Sequence, residues 1–183
     1  MDTPESDFPA IYTAFYPKIL RYVTRLAGEA EAEDLTQEVL IKVNQALGTF
    51  RGEAQLSTWI YRIATNAVID RTRTATFRQE AEQSEFDDLD EAEPIEARNA
   101  EAPPSLEQQR MRQEMIECFI GFLEHLPIDY RSVFVLSDLE GVTNREIADI
   151  LGVSVETVKI RLHRGRAKLF QELKGHCKPE DWL

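Results

Sequence analysis

Two sets of residues carry side chains that can recognise nucleic acid, and they lie far apart in the chain. Near the C-terminal end, Glu156, Thr157, Lys159 and Ile160 suit contact with base edges, and Arg161, His163 and Arg164 follow them. Lys and Arg along such a stretch neutralise phosphates, while the residues at its start read bases in a major groove. Nearer the N-terminus, Trp59, Arg62, Asn66, Asp70 and Arg73 recur at steps of three and four. On a helix they form one face with an aromatic ring, two guanidiniums and two side chains able to bond bases. Beside a loop containing Gly52, that face can hold an unstacked base.

Each set requires an element to position it. Thr143 with Glu146 forms a capping box, Ile147, Ala148 and Leu151 an apolar stripe, and Gly152 a stop. Ser154 caps a second helix, whose inner stripe is Val155, Val158, Leu162 and Leu169. Gly165 lies on that stripe, where two backbones can approach closely. Residues Thr143 to Phe170 therefore read as a helix-turn-helix. From Ser154 to Lys174, six basic residues face only Glu156 and Glu172. A solvated amphipathic helix fits the same pattern, so a second signal is needed.

The first half supplies it. Phe8, Tyr12, Phe15, Ile19, Tyr22, Val23 and Leu26 predict a helix that tolerates Pro17 and closes at Gly28. A second follows through Leu35, Val39, Val43 and Leu47, with Asp34, Gln37, Glu38 and Lys42 outward. Ser57 is placed to cap a third, with Ile60, Ile63, Ala64 and Ala67 inward. Trp59 fits plain core equally well, and Arg62, Asp70 and Arg73 fit a surface ion-pair ladder. From about Ala75 to Pro104, ten acidic residues oppose Arg78 and Arg98 without a sustained apolar stripe. That stretch reads as an extended linker letting its flanks move independently. After Pro103 and Pro104, Ser105 can cap a helix with Met111, Met115, Phe119, Phe122 and Leu126 inward. Pro127 starts another containing Tyr130, Val133, Phe134 and Leu136.

Composition is that of an ordinary soluble chain: 183 residues, 43% hydrophobic and 30% charged, with a formal net charge of -12. The positive charge on the second half's helix is a local excess against that total. No apolar run approaches a bilayer span of about 20 residues, and the start MDTPESDF has no basic stretch leading into an apolar one, so a cytosolic chain is expected. Cys118 and Cys177 imply no disulfide framework. His176 beside Cys177 makes a poor metal site, and His125, His163 and His176 sit apart. With no phosphate-binding glycine loop, nucleophile motif or metal spacing, neither an enzyme nor a cofactor is expected.

These segments together resemble the extracytoplasmic-function sigma factors, group IV of the bacterial sigma-70 family. EDLTQEVLIKV is similar to that family's polymerase-binding helix, and STWIYRIATNAVIDRTR to its promoter-melting and −10-reading segment. LPIDYRSVFVLSDLEGVTNREIADILGVSVETVKIRLHRGRAKL resembles its −35-reading helix-turn-helix almost end to end. The likeness implies an all-α chain of two small helical domains joined by a flexible acidic linker. Region 2 would occupy residues 1–74, the linker 75–104, region 4 residues 105–175 and a tail 176–183.

It further implies a promoter-specificity subunit of bacterial RNA polymerase. Asp34, Gln37, Glu38, Leu40 and Val43 would bind core polymerase at the clamp helices of its largest subunit, and region 4 would meet the flap. Arg51, Gly52, Gln55 and Ser57, with Trp59, Arg62, Asn66, Asp70 and Arg73, would melt the −10 element and pocket a flipped base. Glu156, Thr157, Lys159, Ile160, Arg161, His163 and Arg164 would contact the −35 element. The linker would run near the polymerase active site and RNA exit channel, its acidity imitating RNA. An anti-sigma partner, often membrane-bound in this family, is implied as well. Two positions depart from the family pattern: Leu40 stands where an aromatic is usual, and Ile160 where a small polar residue, often Ser, is common. A stand-alone helix-turn-helix regulator explains Thr143 to Phe170 equally well, but accounts for neither the Trp59 to Arg73 face nor the acidic tether.

Overall fold

The stripe through residues 8 to 26 becomes helix α1, Phe8–Ala27, which continues through Pro17 and ends at Gly28. Gly28 has φ 82°, and its N–H bonds the Thr24 carbonyl. That positive φ favours glycine and lets α2, Glu29–Ala46, begin at once and fold back onto α1. A short 3-10 turn, Leu47–Thr49, leads to α3, Leu56–Thr76. The computed structural model describes residues 7–52, 54–76 and 120–176, with side chains of the third and last helices described to residues 72 and 172.

A helix α4 is described over 120–125. It is followed by α5, Ile128–Phe134, a π-helical turn, Val135–Leu139, then α6, Asn144–Leu151, and α7, Val155–His176. Among the described residues there is no strand, as expected of an all-α chain. None of the described helices is long and apolar enough to cross a membrane. Most of the acidic linker, with Ser105, Met111, Met115, Cys118, Phe119, Cys177 and the tail beyond it, lies outside the described residues.

In the first half, Ile19, Tyr22, Val23 and Leu26 of α1 meet Leu35, Val39 and Val43 of α2 and Ile60, Ala64 and Val68 of α3. The α1 stripe differs from expectation at one position. Ile11 is buried, whereas Tyr12 is 43% exposed, stacks on Tyr16 with ring centroids 5.3 Å apart and meets Phe8 edge-on. One residue of helix turns a side chain by about 100°, enough to move Tyr12 off the buried face.

In the second half, Val133, Phe134 and Leu136 face Ile147 and Ile150 of α6 and Val158, Leu162 and Leu169 of α7. Gly165 is buried at the crossing of α7 and α5, where an added Cβ would lie 3.5 Å from the Tyr130 Cβ. The close approach expected of this glycine is present. α3 packs on α6, α1 touches α5 and the π turn, and buried residues of both halves form one continuous cluster.

Because 3.5 Å is ordinary van der Waals contact, Gly165→Ala should fold normally. It should raise unfolding free energy by about 0.5–1 kcal/mol through helix propensity. Gly165→Leu should lower it by about 1–3 kcal/mol through overpacking. Urea denaturation followed by circular dichroism reads both.

Candidate nucleic-acid interface

The helix-turn-helix is built by its caps. The Thr143 N–H donates to Glu146 Oε2 at 3.0 Å, and the Glu146 N–H donates back to Thr143 Oγ1 at 3.4 Å, completing the capping box. Gly152 is left-handed at φ 66°, and its N–H and that of Val153 both reach the Ala148 carbonyl. Two residues later Ser154 Oγ accepts the Thr157 N–H at 3.1 Å, starting α7. The turn therefore has fixed length and direction. Val158, Leu162 and Leu169 face inward as expected, and Ile150, which the stripe omitted, is buried beside Ile147.

On the opposite face of α7, Glu156, Lys159, Ile160, His163 and Arg164 are exposed, Ile160 by 53%. Two expected members are engaged elsewhere. Thr157 is half-buried, with its hydroxyl 3.0 Å from Ser154 Oγ. The Arg161 guanidinium lies 3.3 Å from Asp129 of α5. Arg166, further along, makes a two-pronged bond to Asp138 at 2.9 and 2.6 Å, which raises its already high pKa. These pairs tie the flank of α7 to α5 and the π turn, and the exposed row keeps an excess of basic residues.

The second face starts at the loop before α3. Arg51, Gly52 and Gln55 are exposed, with Gly52 at φ 72°. The helix begins at Leu56, and the Trp59 N–H bonds the Gln55 carbonyl at 3.1 Å. The cap position is thus Gln55 rather than Ser57, which lies half-buried in the first turn. Trp59 is half-buried against the core, its ring 5.1 Å from that of Phe50. Arg62, Asn66 and Asp70 are exposed, and Arg73 belongs to α3 with its side chain outside the described residues. Arg62 Nη2 donates to the Asp149 carbonyl of α6 at 2.5 Å, across the seam between the halves.

The same seam holds Glu140, whose side chain is 3% exposed. It accepts from Arg25 Nη1 at 2.8 Å, the Tyr61 hydroxyl at 2.8 Å, and Arg21 Nε and Nη2 at 3.4 Å. Burial, then the bond to Glu140, pushes the Tyr61 phenol well above its usual pKa. Burial lowers Arg25, with Glu140 opposing the shift. Arg131 of α5 donates to the Leu26 carbonyl of α1 at 2.7 Å and to the Leu126 and Glu124 carbonyls of its own half. None of these partners has a periodicity signal in the sequence.

On α2, Asp34, Gln37 and Ile41 form one exposed stripe, and Ile41 is 57% exposed. Glu38 is half-buried and held by Lys42 at 2.8 Å and Arg71 at 3.3 Å, with the Lys42 bond chiefly lowering its pKa. Leu40, 2% exposed, and the fully buried Val43 belong to the core, which corrects their assignment to a polymerase-facing surface. Position 41 was missed, although its helical phase with Asp34 and Gln37 was legible. Among the described residues, no cluster of three or more His, Cys, Asp or Glu could hold a metal.

A capped helix-turn-helix with a basic outer row, joined to a three-helix unit with its own polar face, defines an all-α DNA-binding protein. Family models for sigma-70 region 2 match residues 11–78, and those for sigma-70 region 4 match residues 116–169. The ECF sigma factor SigW of Bacillus subtilis is 35% identical over 173 residues, covering 91% of this chain and 89% of SigW. The sigma-H factor of Pseudomonas aeruginosa is 32% identical, covering 91% and 86%. The chain belongs to the sigma-70 family, among its extracytoplasmic-function sigma factors, the subunits that give RNA polymerase promoter recognition.

The fold is shared with solved sigma factors. RpoE of Bartonella quintana, crystallised with the anti-sigma factor NepR, superposes at TM-score 0.65 with 23% identity, covering 94% of this chain and 99% of RpoE. CnrH, solved with the cytosolic domain of CnrY, superposes at 0.63 with 22% identity, covering 92% and 88%.

Leu40→Ala should cost about 2–5 kcal/mol in urea denaturation, as a core truncation does. Ile41→Ala should stay within about 0.5 kcal/mol of the parent chain.

Proposed function

We propose that the chain directs transcription initiation by gripping a promoter at two places, with core polymerase as the frame between them. The outer row of α7 supports the duplex grip: Glu156, Lys159 and Ile160 meet −35 base edges, Thr157 and Arg161 flank them, and His163 and Arg164 follow the phosphates. The loop and outer face of α3 serve the −10 element. Arg51, Gly52, Gln55 and Ser57 shape a pocket for an extruded base, and Trp59, Arg62, Asn66, Asp70 and Arg73 line the path of the strand. Unpairing and unstacking a base costs a few kcal/mol, which stacking and a pocket offset without nucleotide hydrolysis.

Asp34, Gln37, Glu38 and Ile41 form the proposed polymerase-binding stripe, for the clamp helices of the largest subunit. The domain limits that follow are region 2 to residue 74, linker to 104 and region 4 to 175. Each module binds DNA weakly alone, and polymerase raises the effective concentration of one at its element once the other is seated. The chain performs no catalysis itself and works in the bacterial cytoplasm. An anti-sigma protein holds it inactive, a reading supported by relatives solved with such partners.

The observation that carries this reading is the pairing of a region 2 match and a region 4 match in one chain with a capped, basic-faced second helix. Run-off transcription with purified core polymerase on a genomic fragment library tests it, and start sites sharing paired −35 and −10 sequences are expected. No RNA from any template would refute it.

Arg164→Ala should weaken binding without changing sequence preference and reduce the salt slope by about 1, as loss of one phosphate contact does. Ile160→Ser should instead change the preferred −35 bases, because the methyl-bearing face of thymine loses its apolar partner. Asn66→Ala should leave closed-complex binding intact and reduce permanganate reactivity of −10 thymines.

A further inference from the structure

We propose that Asp129 and Asp138 determine how selectively α7 settles on DNA, by holding the two guanidiniums on its flanks away from phosphates. This rests on the reading of α7 as the −35 helix given above. Arg161 and Arg166 are five residues apart, which places them about 140° apart around the helix, on either side of the outward row of Glu156, Ile160 and His163. A helix with its side chains is about 10–12 Å across, and the major groove is about 12 Å wide. Side chains on the two flanks of a seated helix therefore reach the two groove walls, where the phosphates lie.

Both guanidiniums are already occupied. Arg166 donates through Nε and Nη2 to the two oxygens of Asp138 at 2.9 and 2.6 Å, the same fork that a guanidinium presents to a phosphate. Arg161 Nη2 donates to Asp129 Oδ2 at 3.3 Å. The Arg166 side chain is 54% exposed and that of Asp129 57%, so an arriving duplex can compete for each arginine. The acids cannot follow. Asp129 lies in the first turn of α5 and Asp138 in the π turn, and Val133, Phe134 and Leu136 fix those elements in the core shared with Val158 and Leu162. An arginine that turns to a phosphate leaves a carboxylate behind beside the duplex, and one that stays adds no phosphate contact. Both outcomes weaken the sequence-independent grip, which consists almost entirely of phosphate contacts. At a site with the preferred bases, base edges also hold the start of α7, and there the closed pairs keep the helix in the orientation those contacts require. The aspartates thus weaken binding at wrong sites more than at right ones.

The test follows, by fluorescence anisotropy over a salt series, the binding of the full chain to a short mixed-sequence duplex and to a promoter fragment recovered by run-off transcription. Asp138→Asn should tighten mixed-sequence binding by about eightfold near 0.1 M salt and steepen the salt slope by about 0.9, the worth of one phosphate contact reckoned from 1 M. The promoter fragment should gain less, so that the ratio of the two affinities falls. Adding Arg166→Gln should remove the gain. Glu33→Gln, which takes the same charge from an exposed position on α2, should not reproduce it. Unchanged mixed-sequence affinity and slope in Asp138→Asn would overturn the withholding of Arg166, as would a gain that survives Arg166→Gln or that Glu33→Gln matches. An equal gain on both DNAs would overturn the effect on selectivity. Duplex binding by no variant would overturn the proposal alone if run-off RNA is made, and the reading of α7 with it if none is. Should Asp138→Asn lose its helical circular dichroism, Asp129→Asn carries the same test, with Arg161→Gln as its second change.

Discussion

A carboxylate removed from water must keep its donors, and Glu140 has its side-chain donors on the far side of the seam. That requirement fixes how the two halves meet. α1 must present Arg21 and Arg25 toward the end of the π turn, and α3 must present Tyr61 beside them. Once those three are seated, α3 lies along α6, and Arg62 and Arg131 reach main-chain carbonyls on the opposite half. The buried residues of both halves join in one apolar cluster, and polar bonds across the seam set the direction in which they meet. Apolar packing alone is non-directional and would tolerate sliding.

The charge distribution is organised on the same principle. The chain carries a formal charge of -12, yet the outer row of α7 keeps a basic excess. Asp129 and Asp138 do not cancel that row; they hold Arg161 and Arg166 at its flank, which orients the helix while Lys159 and Ile160 face out. On α2 the pattern is similar. Arg71 and Lys42 occupy Glu38, and Asp34, Gln37 and Ile41 are left as the outward stripe. In both places an ion pair beside the recognition surface positions the helix.

What was legible in the sequence follows the range of each interaction. The Thr143 box, the Gly152 stop, the Ser154 cap and the close approach at Gly165 obey rules that act within a few residues or along one stripe. Phase errors were confined to neighbours: Tyr12 for Ile11, and Leu40 for Ile41, each one step around the helix. Val43 was read as core from its spacing and as a contact from family likeness, and its burial agrees with the spacing. Ser57 as a cap failed because the first helical bond already starts at Gln55. The seam was invisible, since Glu140 meets residues 79 to 119 positions away and no periodicity links them. An acidic stretch between two helical units suggested free motion, and nothing local pointed to docking.

The π turn at Val135–Leu139 has a consequence of its own. Glu140 donates its N–H to the Val135 carbonyl, five residues back rather than four, so the turn holds one residue more than a regular helix would. An extra residue rotates everything after it by about 100°. In an unbroken helix the carboxylate would therefore point well away from α1 and α3. The irregularity acts as a phase adjuster: it keeps Val135 and Leu136 in the core while turning the Glu140 carboxylate toward Arg21, Arg25 and Tyr61.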